Sequence, residues 1–273
     1  MNGDGNLAVF CDFENVALGV RDANLKKFDI RPVIERLLLK GSIVAKKAYC
    51  DWDRYKEFKA TMHEAAFELI EIPHARQSGK NSADIRMVVD ALDLCYTKEH
   101  IDTFVIISGD SDFSPLVSKL RENAKSVIGV GVKNSTSDLL VNNCDEFIFY
   151  DDLVAERKSP RRRQRGKGRG KSGVTTPKEQ PAPAPVPDGP AQEAIDLVLQ
   201  TAEAIYAERG DRAKLWGSMI KQTLKRRRPG FNESAYGFRS FNDLLEEAQT
   251  RGLLSLELDE RSGGYVIVQV SRE

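Results

Sequence analysis

A short unbroken apolar run that leads into a carboxylate occurs twice in this chain. It constrains the fold more than any other feature. In Thr103-Phe-Val-Ile-Ile-Ser-Gly-Asp110-Ser-Asp112-Phe-Ser-Pro-Leu-Val117, the stretch Phe104 to Ile107 has no polar residue. A strand of that kind is buried on both faces, which is the habit of a parallel sheet. Ser108-Gly109 breaks the strand, and a helical pattern from Phe113 to Asn123 follows, with Ser111 or Asp112 available as its cap. Leu7-Ala-Val-Phe-Cys11 repeats the arrangement and runs into Asp12. Asp12, Asp110 and Asp112 therefore leave the carboxyl ends of strands, where open α/β sheets bind ligands. Helix capping alone would explain one aspartate after a strand, but not a pair.

The intervening chain alternates between the same two periods. Helices are expected at Arg31–Leu39, Tyr55–Phe67 and from Asn81 or Ser82 to Tyr96, with Asp84 in the first turn of the last. Strands are expected at Ser42–Cys50, Glu68–Ile72 and Ser126–Val130. A short helix, Ser137–Asn142, and a last strand, Phe147–Phe149, close the block, and His74–Ser82 reads as a polar loop. Strands alternating with helices give an α/β fold with a mainly parallel sheet and helices on both faces.

Composition divides the 273 residues further. Residues 1–155 carry 19 Lys and Arg against 25 Asp and Glu, a net of −6. Residues 156–190 carry 10 against 3, a net of +7, and residues 191–273 carry 12 against 13, a net of −1. Arg157–Lys171 has nine basic residues, among them Arg161, Arg162, Arg163 and Arg165, and no acidic one. Val174–Pro190 has six prolines. Neither can bury a core, so 156–190 is expected to be a disordered linker. It is either a solvated spacer or a binder of a polyphosphate backbone. No apolar run reaches the roughly 18–20 residues of a membrane span, and the N-terminus lacks a signal peptide's apolar segment. Cys11, Cys50, Cys95 and Cys144 lack metal-ligand spacing. The first three lie in apolar segments and read as buried thiols of a cytoplasmic protein.

The last block, 191–273, begins with a helix to Arg209. Helices at Lys214–Arg227 and Ser240–Arg251 follow, then alternating strands at Leu253–Leu258 and Tyr265–Val270 joined by Arg261–Gly264. Three helices and a hairpin suggest a small winged helix. Lys221, Lys225, Arg226, Arg227 and Arg228 end its second helix, and Tyr236, Phe238, Arg239 and Phe241 follow closely. Cations interleaved with aromatics can contact phosphates and stack on bases. Phe238 and Phe241 read equally well as core.

If the first and fourth strands are neighbours, Asp12, Asp110 and Asp112 share one pocket, and Asp84 can point into it. Asp90 lies about 240° further round the same helix and is ranked lower. Clustered carboxylates require a proton or a cation. Oxygen donors without Cys or His select Mg²⁺ or Mn²⁺, and one or two such ions can activate water against a phosphodiester. Asp12 and Asp110 would be direct ligands. Asp84 and Asp112 would complete the site or hold a water on the metal. Asn15, Ser108 and Lys80 either contact the scissile phosphate or make ordinary loop interactions.

Leu7–Val16, Lys80–Asp90 and Val105–Phe113 resemble the NYN domain, a family similar to PIN-domain nucleases, over about residues 6–153. The resemblance implies a PIN-like, Rossmann-like fold and metal-dependent RNA cleavage at Asp12, Asp84, Asp110 and Asp112. Ser137–Asp145 resembles the family's terminal helix, from which Asp138 approaches the site. Leu215–Lys225, Pro229–Asn232, Tyr236–Leu245 and Gly264–Ile267 resemble a LOTUS, or OST-HTH, domain. That resemblance implies an RNA-binding winged helix, with single-stranded, structured or G-rich RNA as ligand. It also allows a protein partner or a homodimer through this domain. The expected protein is a metal-dependent endoribonuclease with a tethered RNA reader and no membrane role. The alternative is a non-catalytic RNA-binding adaptor. A phosphohydrolase of the haloacid dehalogenase type usually needs a second aspartate two residues after the first, and position 14 is glutamate.

Overall fold

The computed structural model describes residues 5–25, 27–72, 82–158, 188–209, 214–259 and 264–270. The first unit runs β1 (Gly5–Asp12), α1 (Phe13–Asp22), α2 (Arg31–Leu38), β2 (Gly41–Cys50), α3 (Lys56–Glu64), β3 (Glu68–Glu71) and α4 (Ser82–Thr97). It continues through β4 (Thr103–Ile107), a 3-10 turn (Ser111–Phe113), α5 (Ser114–Glu122), β5 (Ser126–Gly131), α6 (Asp138–Asn143), β6 (Glu146–Phe149) and α7 (Tyr150–Lys158). The six strands form one sheet in the order β3-β2-β1-β4-β5-β6, and every neighbouring pair is parallel. The expected α/β sheet is the one found.

The apolar runs explain the two-sided burial. Along β1, Leu7, Val9 and Cys11 enter one core with residues of α1, α2, α3 and α7. Ala8 and Phe10 enter another with Met87, Ala91 and Cys95 of α4 and Leu116, Val117 and Leu120 of α5. Successive side chains of a strand point to opposite faces, so a run without polar residues fits a central strand covered on both. All four cysteines are buried free thiols. No helix of the described residues is long and apolar enough to cross a membrane.

Because β2 and β3 lie on one side of β1 and β4–β6 on the other, the chain reverses its winding between β1 and β4. The crevice at such a switch point opens at the carboxyl ends of those two strands. Their register pairs Leu7 with Thr103 and Cys11 with Ile107, which puts Asp12 level with Ser108.

Several boundaries differ from the sequence expectation. α1 starts directly at Phe13, where no helix is expected, because Asp12 caps it. The aspartate that caps the turn after β4 is Asp110, accepting from the Asp112 N–H, rather than Ser111 or Asp112. α7 continues to Lys158, and α8 (Asp188–Arg209) begins earlier than expected, so both ends of the anticipated linker are helical. Arg161, Arg162, Arg163, Arg165 and Lys80 lie outside the described residues.

The second unit continues with β7 (Leu215–Trp216), α9 (Gly217–Arg227), a 3-10 turn (Glu233–Tyr236), α10 (Phe241–Thr250), β8 (Leu254–Leu258) and β9 (Tyr265–Val270). Its sheet runs β7-β9-β8 and is antiparallel. Ser240 caps α10 through the Asp243 N–H. Phe238 and Phe241 are buried in the core with Ile195, Leu224 and Leu245, so of their two readings the structural one holds. Tyr236 is half-buried and stacks on Phe231 with ring centroids 5.5 Å apart.

Candidate active site

Asp12 sits at the end of β1 and is 8% exposed. Two groups hold its carboxylate: the Ser108 hydroxyl donates to Oδ2 at 3.0 Å, and the Asn15 N–H donates to Oδ1 at 3.4 Å. The Ser108 hydroxyl in turn accepts the Asp110 N–H at 3.2 Å. The Asn15 carboxamide oxygen accepts the Gly109 N–H at 2.9 Å. The ends of β1 and β4 are thus laced together by side chains of both loops.

Gly109 is required by a close approach. A Cβ there would stand 2.3 Å from the Ser135 carbonyl oxygen. The same loop anchors the start of α6, because the Ser137 N–H donates to the Gly109 carbonyl at 2.9 Å.

The electrostatics follow from burial and like charge. Burial raises the Asp12 carboxyl from 3.8 to about 7, the Asp84 and Asp110 charges push it the same way, and the Ser108 and Asn15 hydrogen bonds oppose them. Asp84, half-buried in the first turn of α4, is also raised, by burial and then by Asp110, Asp112 and Glu14. Four of the expected carboxylates therefore share one field at the switch point. Glu14 is a fifth acid in that field, one the sequence reading leaves out. Its signal was its place two residues after Asp12, and its carboxylate is held by Arg54 at 3.2 Å and by the Tyr55 hydroxyl at 3.5 Å.

The structure separates the other expected residues. Ser108 is fully buried, with its hydroxyl engaged on Asp12, so it holds a carboxylate and is not available to a phosphate. Asp90 belongs to a different network. It accepts the Tyr49 hydroxyl at 2.9 Å and pairs with Arg86 at 3.1 Å and Lys47 at 3.5 Å. Asp138 is exposed at the start of α6, and it is not among the carboxyls that act on Asp12 and Asp84.

In the second unit Lys221 is paired with Glu233 at 2.6 Å and Lys225 with Glu146 at 3.4 Å. Arg226, Arg227, Arg228 and Arg239 are exposed.

Asp12, Asp84, Asp110 and Asp112 offer only carboxylate oxygens, a donor set suited to a hard divalent cation. The raising of Asp12 by Asp84 and Asp110, and of Asp84 by Asp110 and Asp112, is the field such a cation would relieve. In donor chemistry the residues fit. In position they remain apart: among the described residues no three His, Cys, Asp or Glu side chains are gathered closely enough to hold a metal. Binding would draw the more exposed Asp84 and Asp112 inward toward Asp12 and Asp110, which the loop hydrogen bonds already fix.

The model of the NYN domain family matches residues 6–151. An uncharacterised protein of Methanocaldococcus jannaschii is 26% identical over 146 residues, which span 54% of this chain and 55% of that protein. The match thus spans about half the length of the curated relative. A solved structure of a protein of unknown function from Vibrio parahaemolyticus is 26% identical with a TM-score of 0.50, covering 56% of this chain and 97% of that one.

Proposed function

The chain belongs to the NYN domain family, and from that premise we propose that it is a metal-dependent endoribonuclease whose second unit delivers the RNA. The family is PIN-like, which supports a nuclease or RNA-related role. The single observation that carries catalysis is the shared field of Asp12, Asp84, Asp110 and Asp112 at the switch point of the sheet.

When bound by these four residues, Mg²⁺ or Mn²⁺ would supply charge neutralisation and water activation for phosphodiester hydrolysis. The protein's own contribution is positioning. Ser108 fixes the rotamer of Asp12 and, through the Asp110 N–H, the start of the second acidic loop. The Asn15 oxygen is committed to Gly109, which turns its NH₂ into the group for a phosphate oxygen. Without a cation, burial and the neighbouring charges favour the protonated form of Asp12, so cation uptake would release a proton. In this reading Lys80 is a candidate contact for the scissile phosphate and Asp138 a candidate neighbour of the site.

We read residues 188–270 as a LOTUS-type winged helix, supported by the order helix, strand, helix, helix, strand, strand. Its candidate RNA contacts are Arg226, Arg227, Arg228, Arg239 and Tyr236, with Lys221, Lys225 and the tether arginines Arg161, Arg162, Arg163 and Arg165. A first unit with a net charge of −6 over residues 1–155 repels RNA, so a basic tether and reader raise the local substrate concentration.

The separation of the four carboxylates favours one second reading, an RNA-binding adaptor without catalysis. Cleavage of a labelled single-stranded RNA in Mn²⁺ or Mg²⁺, by the parent and by Asp110→Asn, distinguishes the two. Asparagine still accepts the Asp112 N–H, so the loop is kept while the charge is lost. Metal-dependent cutting abolished by the substitution is the expected result. Binding without cutting by the parent selects the adaptor, and equal cutting by both proteins refutes the assigned site.

A further inference from the structure

The second unit touches the first at a defined place. β6 is an edge strand, paired only with β5 on its sheet side. On its open side the Phe147 N–H donates to the Pro229 carbonyl at 2.9 Å. Beside this bond, Glu146 accepts Lys40 at 2.7 Å and Lys225 of α9 at 3.4 Å. Burial alone would raise the Glu146 carboxyl, but Lys225 and Lys40 hold it below its ordinary value. Gly230 lies against the Phe149 ring so closely that a Cβ would stand 2.9 Å from it. A cleft of ≈ 160 Å³, walled by Arg36, Asp152, Lys221 and Glu233 among others, completes the seam. A backbone bond, an ion pair and an apolar contact thus coincide along four residues of strand, on an edge that otherwise invites pairing with another chain.

The seam reaches the acidic end of the sheet. Phe149 is the last residue of β6, and Asp152 follows in the first turn of α7. Lys133, just past β5, pairs with Asp152 at 2.6 Å and stands 5.6 Å over the Phe149 ring. Both Arg228 and Asp152 act electrostatically on Tyr236, so those three share one neighbourhood. The exposed tract Arg226–Arg228 runs directly into the docked Pro229.

We infer that the second unit is fastened to the β6 edge and not merely tethered, and that this dock lays Lys133 and Arg226–Arg228 in line with the carboxylate crevice as one track for a single RNA strand. The RNA half of this inference rests on the reading under Proposed function; the dock does not. From β1 to β6 is three strand spacings, about 14 Å. At about 3.4 Å per stacked nucleotide, a strand reaches from the crevice to the arginines in roughly four to seven nucleotides.

Two measurements on the full chain test it. The native thiols are buried, so spin labels go to introduced cysteines at Glu122→Cys and Gln222→Cys, one in each unit. The expected result is one narrow distance in the parent, broadened by Gly230→Leu, which wedges Phe149, and by Glu146→Lys. Adding Lys225→Glu to Glu146→Lys should partly narrow it again. A broad parent distribution, or no response to either variant, overturns the dock. The second measurement is the affinity for oligo(U) of 3 to 15 nucleotides in Ca²⁺. A rise of about tenfold or more centred at roughly four to seven nucleotides, blurred in the charge-neutral Gly230→Leu, supports the track. An identical length series in parent and variant overturns the track while the distances still uphold the dock. No binding at any length overturns the RNA reading itself and leaves the dock to the distance data.

Discussion

Removing the Asp12 charge should make the protein more stable, and increasingly so as pH rises. The buried carboxyl is raised from 3.8 to about 7. A folded state that holds its proton more tightly than the unfolded chain has its full stability below the unfolded value. It loses that stability as pH rises to the folded value. At about 1.36 kcal/mol per pH unit, the interval from 3.8 to about 7 amounts to about 4 kcal/mol. Between pH 5 and pH 8 the expected loss is about 2–3 kcal/mol. Asp12→Asn keeps an acceptor oxygen for the Asn15 N–H, turns its NH₂ as a donor toward the Ser108 hydroxyl oxygen, and cannot ionise. Its stability relative to the parent should therefore climb by that amount across the same range in EDTA. Urea titrations at the two pH values, in a Trp216→Phe background so that the buried Trp52 reports on the first sheet, measure it. Saturating Mg²⁺ should recover stability in the parent and much less in the variant, because a ligand stabilises only the state that binds it. Parallel pH profiles for parent and variant would show that Asp12 carries no such strain.

Two more outcomes follow from the geometry. Gly109→Ala drives a Cβ toward the Ser135 carbonyl, 2.3 Å away. It should cost about 1–3 kcal/mol in a urea titration and weaken Mn²⁺ affinity by calorimetry, since that loop carries Asp110. Tyr49→Phe removes the hydroxyl on Asp90 and should lower stability by about 1.5–3 kcal/mol, while RNA cleavage keeps the parent's rate; a loss of turnover as large as that of Asp110→Asn would move Asp90 into the catalytic set.

The strands, their parallel sheet and their carboxylates could be read from sequence; helices α1 and α7 and the side-chain partners set by distant pairing could not. The runs Leu7–Cys11 and Phe104–Ile107 announce doubly buried strands, and their carboxylates fall in the crevice because the parallel register puts Asp12 beside Ser108. Asp12 reads as a site residue and is also the cap of α1, which hides that helix in the sequence. Helix α7 has no clear apolar stripe to separate it from the basic stretch that follows. The commitment of Asp90 depends on Tyr49 and Lys47, more than forty positions earlier, and no periodicity within α4 encodes that. Ser108 has the polarity of a ligand-binding residue; only its burial under the crossing of two loops makes it a brace.

The central position of β1 has a consequence for how the protein is made. Its two neighbours come from opposite parts of the chain, β2 immediately and β4 only at Thr103–Ile107. Chains emerge from the ribosome N-terminus first. Until about residue 112 has appeared, Asp12 has neither Ser108 nor Asp110 beside it, so a nascent chain that carries its own messenger close at hand has no assembled acidic crevice. The edge of β6 stays bare still longer, until Pro229 is synthesised. Between the synthesis of β6 and that of Pro229, the β6 edge offers unpaired backbone groups to neighbouring chains on a polysome.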